Sequence, residues 1–386
     1  TRRSSDLKVK IGTGASVTSD RSIEVSARTI QTQPLLPTFE SLISATLGDD
    51  KFGNLANFNF LAIKTGKATI EINGLLQAAA AIRATAQALI HISAASDNIS
   101  FVMPLSIGVA SALAQILTGD GAELNAGTDV TLKASTDVDL TSAARTGLLP
   151  IAIAVSTANG SAEVQVGDDS EVNAGGDVTL AASGRMNVLT EATEPTLMEG
   201  GDSGSLAPGS GGYFAISVVQ QTVAARITGS ARVSAGDDPT DELILSADAK
   251  ETVENIAQSS VSPNGNEDNV TITGVLAMIT GMNGLVADPN SALALMIEKL
   301  NGATGGVVDV IDQASGGSID QATGGGESST SSFQLVGALV VCYAKNESLA
   351  LLDASQPAGA GGAVRVSALA DTSVANTADG SPVGDV

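Results

Sequence analysis

Two stretches of this chain carry the same alternation of apolar and polar positions. Gly119–Ser135 reads GDGAELNAGTDVTLKAS and Gly167–Ser183 reads GDDSEVNAGGDVTLAAS, 48 residues further on and matched at most positions without a gap. Strict period-two alternation predicts a strand with one buried face. In Asp129–Ser135, Val130, Leu132 and Ala134 point one way, while Thr131 and Lys133 point to water. Asn125-Ala-Gly and Asn173-Ala-Gly stand just upstream, and such residues supply a corner.

Weaker copies of the core signature (apolar, any, apolar, any, Ala) extend the array. They fall at Ile23, Val25, Ala27; at Ala80, Ile82, Ala84; at Val130, Leu132, Ala134; and at Val178, Leu180, Ala182. Two more fall at Leu243, Leu245, Ala247 and at Val364, Val366, Ala368. The alanine anchors are 57, 50, 48, 65 and 121 residues apart, and the last gap has room for one more unit or a large insertion. Most units also carry a nearly continuous apolar run upstream: Phe58–Ile63, Phe101–Ala110, Leu148–Val155, Tyr213–Val219 and Phe333–Tyr343. Apolar runs of strand length predict strands buried on both faces.

A sheet wound into a coil, with like positions stacked between coils, satisfies both patterns, because no unit buries its face alone. The expected fold is therefore an all-β parallel β-helix, or β-solenoid, of imperfect repeats forming a single array over residues 1–386. A unit near 50 residues is long for one coil, so it reads as two coils, or as one coil with a protruding hairpin.

Three insertions interrupt the array. Residues 37–57 predict a short amphipathic helix with Phe39, Leu42, Ile43 and Leu47 on one face and Gly48 to stop it. Residues 194–212 read as a Gly/Ser loop. Residues 285–332 hold a second helix over Asp288–Gly302, with Leu293, Met296, Ile297 and Leu300 on one face, and then a low-complexity loop. Insertions of this kind sit on one face of a solenoid and often carry its specific contacts.

Composition sharpens this picture. Hydrophobic residues make up 43% of the chain but aromatics only 2%, with no Trp, so the core must be thin and built from Ala, Val, Leu and Ile. The net charge is −23 and the 19 Lys and Arg form no stripe, which argues against nucleic acid as a partner. The longest uncharged apolar run, Phe101–Leu117, contains Pro104, Ser106, Ser111 and Gln115 and reads as strand, so no membrane span is expected. One cysteine, Cys342, excludes an internal disulfide and reads as a small buried hydrophobe. The chain opens at Thr1 with no signal peptide ahead of it, so a processed or excised piece of something longer is expected.

The repeat, an apolar strand followed by Gly-Asp, then Glu-Val/Leu-Asn-Ala-Gly and Asp-Val-Thr-Leu with Ala-Ser behind, resembles the repeats of very large bacterial adhesins of the filamentous-haemagglutinin-like kind. That resemblance implies a secreted parallel β-helix projecting from the cell surface. It brings no shared catalytic residues. The irregular spacing and the two helical insertions are departures from the pattern.

Candidate chemistry is sparse. His91, the one histidine, lies in the strand-like Leu89-Ile-His-Ile-Ser and reads as a surface or satisfied residue; zinc chemistry resting on several histidines is excluded. There is no GxxxxGK[ST] phosphate loop, and Gly359–Gly362 reads as a solenoid corner. Carboxylate clusters stand at Asp49-Asp50, at Asp168-Asp169 with Glu171, and at Asp237-Asp238 with Asp241 and Glu242. Asp120 and Asp168 recur at one repeat position, which marks a corner, whereas an active site breaks repeat symmetry. Asp237, Asp238, Asp241 and Glu242 offer oxygen ligands for a calcium ion, without the spacing of an EF-hand. No other cofactor is expected.

The expected function is that of a non-enzymatic, extracellular, cell-surface stalk or filament protein, structural and adhesive. It would associate with itself end to end, or continue into a larger chain, since neither terminus reads as a cap. A cell-surface or glycan ligand would bind through the insertions. The competing readings are a polysaccharide-active β-helix enzyme, which the 2% aromatic content disfavours, and a carbohydrate-binding module, which the sequence does not separate from a stalk that also binds.

Overall fold

The structure is a computed structural model that describes residues 4–32, 61–97, 105–119, 121–145, 151–193, 212–258 and 337–379. These residues are almost entirely β-strand, and the strands run in a repeating long–short–long sequence. The first coil is β1 (Ser4–Ile11), β2 (Ser16–Ser19) and β3 (Ile23–Gln31). The second is β4 (Leu61–Ile72), β5 (Leu75–Ala78) and β6 (Ile82–Asp97). The third is β7 (Leu105–Thr118), β8 (Glu123–Ala126) and β9 (Val130–Arg145). The fourth is β10 (Ile151–Val166), β11 (Glu171–Ala174) and β12 (Val178–Thr193). The fifth is β13 (Gly212–Gly229), β14 (Arg232–Ser234) and β15 (Leu243–Gln258), and the sixth is β16 (Gly337–Ala354), β17 (Ala358–Gly359) and β18 (Val364–Asp379).

Each strand pairs in parallel with its counterpart one coil away. The result is three six-stranded sheets: a first long sheet β1-β4-β7-β10-β13-β16, a short sheet β2-β5-β8-β11-β14-β17, and a second long sheet β3-β6-β9-β12-β15-β18. The chain is a parallel β-solenoid, as its alternation predicts. The 48-residue offset is one complete coil, since Val130, Leu132 and Ala134 pair in register with Val178, Leu180 and Ala182. Neither a two-coil unit nor a protruding hairpin occurs among the described residues. The length of the coil comes instead from long strands, up to 18 residues in β13 and β16.

Two further details of the repeat are corrected by the register. Ala84 pairs with Leu132, and it is Ala86 that pairs with Ala134 and Ala27. The second signature is therefore Ile82, Ala84, Ala86, displaced by one strand step from the sequence reading, because small residues fill so many inward positions that two frames look alike. The 121-residue gap before Ala368 holds an insertion and no further unit, since β15 pairs directly with β18.

Inward residues of the two long sheets meet in one continuous core. Ile82, Val130, Leu132, Val178, Leu180, Leu243 and Leu245 are fully buried in it, together with Ile70, Ile72 and Ile116 from the opposite sheet. At the end of the coil away from the short sheet the core narrows to alanine, with Ala144, Ala152, Ala154, Ala192, Ala215 and Ala257 packed around Tyr213. Over their described residues, the apolar runs of β7, β10 and β13 are buried on both faces, as expected, whereas that of β16 is half-buried. In β10 the inward Ala152 and Ala154 and the outward Ile153 and Val155 are all buried, and so are the outward Phe214, Ile216 and Val218 of β13.

The three longest connections all join a strand of the second long sheet to the first long sheet of the next coil, where the shorter links after Asp97 and Arg145 also run. Their roots stack, because Asp97, Arg145 and Thr193 are register partners. Insertions 37–57, 194–212 and 285–332 enter at this one corner, as expected for a solenoid. The two predicted helices and the Gly/Ser loop lie outside the described residues, apart from Gly212, which opens β13. Among the described residues no helix is long and apolar enough to cross a membrane, and the apolar run ending at Leu117 is strand β7 over its described part.

Candidate functional site

The polar residues of the repeat concentrate at the two corners that flank the short sheet. At the corner leading into the second long sheet, a backbone ladder forms: the N–H of Ile82, Val130 and Val178 donate to the carbonyls of Asp129, Asp177 and Glu242, each at 2.9 Å. Side chains reinforce it. Asp129 Oδ1 accepts from the Asp177 N–H at 3.2 Å, and Asp177 Oδ1 accepts from the Glu242 N–H at 2.8 Å. A column of glycines makes this tight stacking feasible. A Cβ on Gly175 would lie 2.4 Å from the Gly127 carbonyl oxygen, and one on Gly236 would lie 2.4 Å from that of Gly175. Gly361 continues the column by donating to the Gly236 carbonyl, so Gly359–Gly362 is a corner as the sequence suggested.

The calcium candidates Asp237, Asp238, Asp241 and Glu242 sit at this corner in the fifth coil. Asp238 Oδ1 accepts from the N–H and the hydroxyl of Thr240, at 2.9 and 2.8 Å, and these bonds hold its carboxyl below the usual carboxylate range. Asp241 Oδ2 accepts from the Asp238 N–H at 3.0 Å. Glu242 pairs with Arg365 of the sixth coil at 2.6 Å. The carboxylates thus organise the turn and tie it to the next coil. Among the described residues no three His, Cys, Asp or Glu side chains are grouped to hold a metal ion.

At the corner entering the short sheet, Asp168 and Asp169 are bound to Ser230 of the next coil. Ser230 donates its N–H to Asp168 Oδ1 at 3.3 Å and its hydroxyl to Asp169 Oδ1 at 2.6 Å, and its Oγ accepts from the Asp169 N–H at 2.9 Å. Asp169 adopts a positive φ of 53°, a conformation that Asp tolerates better than most residues. The corner role of Asp168 is confirmed; Asp120 and the Asp49-Asp50 pair lie outside the described residues.

His91 lies half-exposed on the outer face of β6, 3.9 Å from Asp137 and 3.8 Å from Asp139 of the next coil. It is a surface residue in an acidic setting, as expected. Cys342 points inward from β16 and is half-buried against the core rather than fully enclosed, because the sixth coil has no described coil beyond it.

One polar group was not singled out from the sequence. Glu251 occupies an inward position of β15, is 1% exposed, and neither carboxylate oxygen accepts a hydrogen bond. Burial without a partner pushes its carboxyl up to about 7. On the facing sheet, Gln221 is buried with its amide unpaired, and its register partner Asn346 donates to Thr372, the register partner of Glu251. The alternation itself held the signal. In Leu243–Gln258 every second residue points inward, and Glu251 falls in that set.

Comparison of the sequence and the fold with known protein families, curated proteins and solved structures returned no match.

Proposed function

We propose that this chain is a length of extracellular surface stalk, a structural and adhesive β-solenoid that works through its shape and stiffness. The observation that supports this reading most is the use made of the repeat's polar residues. Asn125 with Asn173, Asp129 with Asp177 and Glu242, and Asp168 with Ser230 bond one coil to the next. They are laid out along the axis, and they do not converge on a cleft where a substrate would sit. The acidity of the chain, its scarce aromatics and the resemblance of its repeat to filamentous-haemagglutinin-like adhesins agree with this reading. Any recognition of a cell-surface or glycan ligand then belongs to the insertions at the single loop corner.

The reading is tested on cells that produce the protein. Antibody raised against the purified chain should label intact cells, and external protease should remove the label. Labelling that requires permeabilised cells would overturn it.

A further inference from the structure

The repeat sets one pair of facing core positions in three successive coils, and in the fifth coil both members are polar. In the fourth coil Met186 of β12 reaches across to Gly160 of β10, where a Cβ would lie 2.8 Å from the methionine methyl carbon. Gly160 is the register partner of Gln221, and Met186 is that of Glu251. In the sixth coil their partners Asn346 and Thr372 bond directly, Asn346 Nδ2 donating to Thr372 Oγ1 at 3.1 Å. Glu251 and Gln221 therefore face each other between the two long sheets, with a described coil on either side.

The polar atoms gathered here do not balance. Glu251 and Gln221 are each 1% exposed. Both carboxylate oxygens of Glu251, Oε1 and Nε2 of Gln221 and Oδ1 of Asn346 are buried and unpaired. Four of these five atoms are oxygens. The Gln221 amide has two hydrogens, so with Glu251 ionised two oxygens stay unpaired however the amide turns. The protein supplies no positive charge to meet them. Among the described residues, the inward positions of β10, β12, β13, β15, β16 and β18 hold no Lys, Arg or His. Their other titratable groups are Tyr213, eight residues from Gln221 on β13, and Cys342, four residues from Asn346 on β16.

A buried carboxylate persists only when it is paired or bound to a cation. One carboxylate with amide carbonyls is an oxygen-only set, which suits a hard cation. Its single negative charge matches a monovalent ion, whereas a divalent ion would leave excess positive charge in the core. We propose that Glu251, Gln221 and Asn346 form an internal site for a sodium or potassium ion, held by the Glu251 carboxylate and the amide oxygens of the other two. The ion ties β15 to β13 and to β16 of the next coil. It competes with the proton that burial otherwise keeps on Glu251. The site is independent of the stalk reading.

The test is urea denaturation of the 386-residue chain at about pH 8.5 and pH 5, in sodium, potassium or tetramethylammonium chloride, the last holding the ionic strength at about 100 mM. Tetramethylammonium carries the charge but is too large for a core position, so in that salt the titration of Glu251 acts alone. At pH 8.5 the folding equilibrium constant should rise about fivefold as sodium or potassium goes from about 10 to 100 mM, as for a site half filled near 10 mM. At pH 5 the carboxyl keeps its proton, and the three salts should act alike. Glu251→Gln removes the charge and should abolish the alkali dependence. Gln221→Met keeps the side-chain length but removes the amide oxygen, and should cut the rise below about twofold. It decides the question even if Glu251→Gln fails to fold. Equal stability in the three salts at pH 8.5 would overturn the proposal and leave water as the partner of these oxygens. An alkali dependence that persists at pH 5, or that either variant retains in full, would also overturn it, since the effect would then belong to the chain's net charge of −23.

Discussion

Asn173 donates its side-chain Nδ2 to Oδ1 of Asn125 at 3.0 Å, and the two residues are also register partners on adjacent strands. The repeat thus places identical side chains one above the other, and a residue able both to donate and to accept bonds to its own copy. Asn173 also donates to Glu171 Oε1 at 3.0 Å. Asn173→Ala should lose about 1 kcal/mol of stability, the usual net worth of such bonds. Asn173→Asp should lose more, because a carboxylate there meets only acceptors. Urea denaturation of both variants checks the ranking, and equal midpoints would show that the ladder contributes nothing.

Leu180 is fully buried between the leucines of neighbouring coils, Leu132 and Leu245. Leu180→Ala should cost about 2–5 kcal/mol through the cavity it leaves. Leu180→Asp should prevent folding of the central coils by burying an unpaired charge. Leu369→Asp, on the exposed outer face of β18, should leave the melting temperature of dilute chain within a degree or two of the parent. If Leu180→Asp melts like the parent, the strand register is wrong.

Glycine at position 175 is fixed by the approach of backbone from the coil below. Gly175→Ala would put a methyl group 2.4 Å from the Gly127 carbonyl oxygen, which has no freedom to move away. Loss of a few kcal/mol, or insoluble protein, is expected. Gly12→Ala is the control, because a Cβ there meets nothing within 4 Å, and it should fold and melt like the parent.

Much of this architecture could be read from the chain, for a physical reason. A solenoid turns sequence period directly into spatial neighbours, so the match of Asn125 with Asn173 already named two residues in contact. Period-two alternation marked the inward face, and the unbroken apolar runs marked the strands buried on both sides. The frame of the second coil was harder to read. Where Ala80, Ala84 and Ala86 all satisfy a small-residue position, the pattern has no bulky residue to pin it. Glu251 was passed over because a charged residue inside an alternating strand looks like an interruption, although Ala249 and Val253 on either side keep it in phase. The corner carboxylates were legible as corners, but their partners lie one coil away at spacings that the insertions scramble.

Calcium is expected to have no effect on the corner at Asp237, Asp238, Asp241 and Glu242. Asp238 and Asp241 already accept hydrogen bonds within the turn, and Glu242 is paired with Arg365. Scanning calorimetry with millimolar calcium and with a chelator should give the same melting temperature. A calcium-dependent rise of several degrees, lost in Asp238→Asn, would reinstate this turn as an ion site.

Glu251 should make the solenoid weaken as pH rises toward neutrality. Its carboxyl is held up at about 7, against a usual value of 4.5, by burial without a hydrogen-bonding partner. Below pH 4.5 both the folded and the unfolded chain carry the proton, and the contribution is constant. Between 4.5 and 7 the unfolded chain releases its proton while the folded chain retains it, which favours unfolding by about 1.4 kcal/mol per pH unit. Above 7 both states are ionised and the loss is complete, at about 3 kcal/mol. Glu251→Gln keeps the shape and removes the titration. The stability of that variant minus that of the parent should therefore widen from pH 4.5 to 7 and then level off. Taking the difference cancels the opposing slopes of the many surface carboxylates. Urea denaturation of both proteins at pH 4.5, 5.5, 6.5 and 8 measures it, and a difference that stays flat would mean that the carboxyl is solvated in the folded chain.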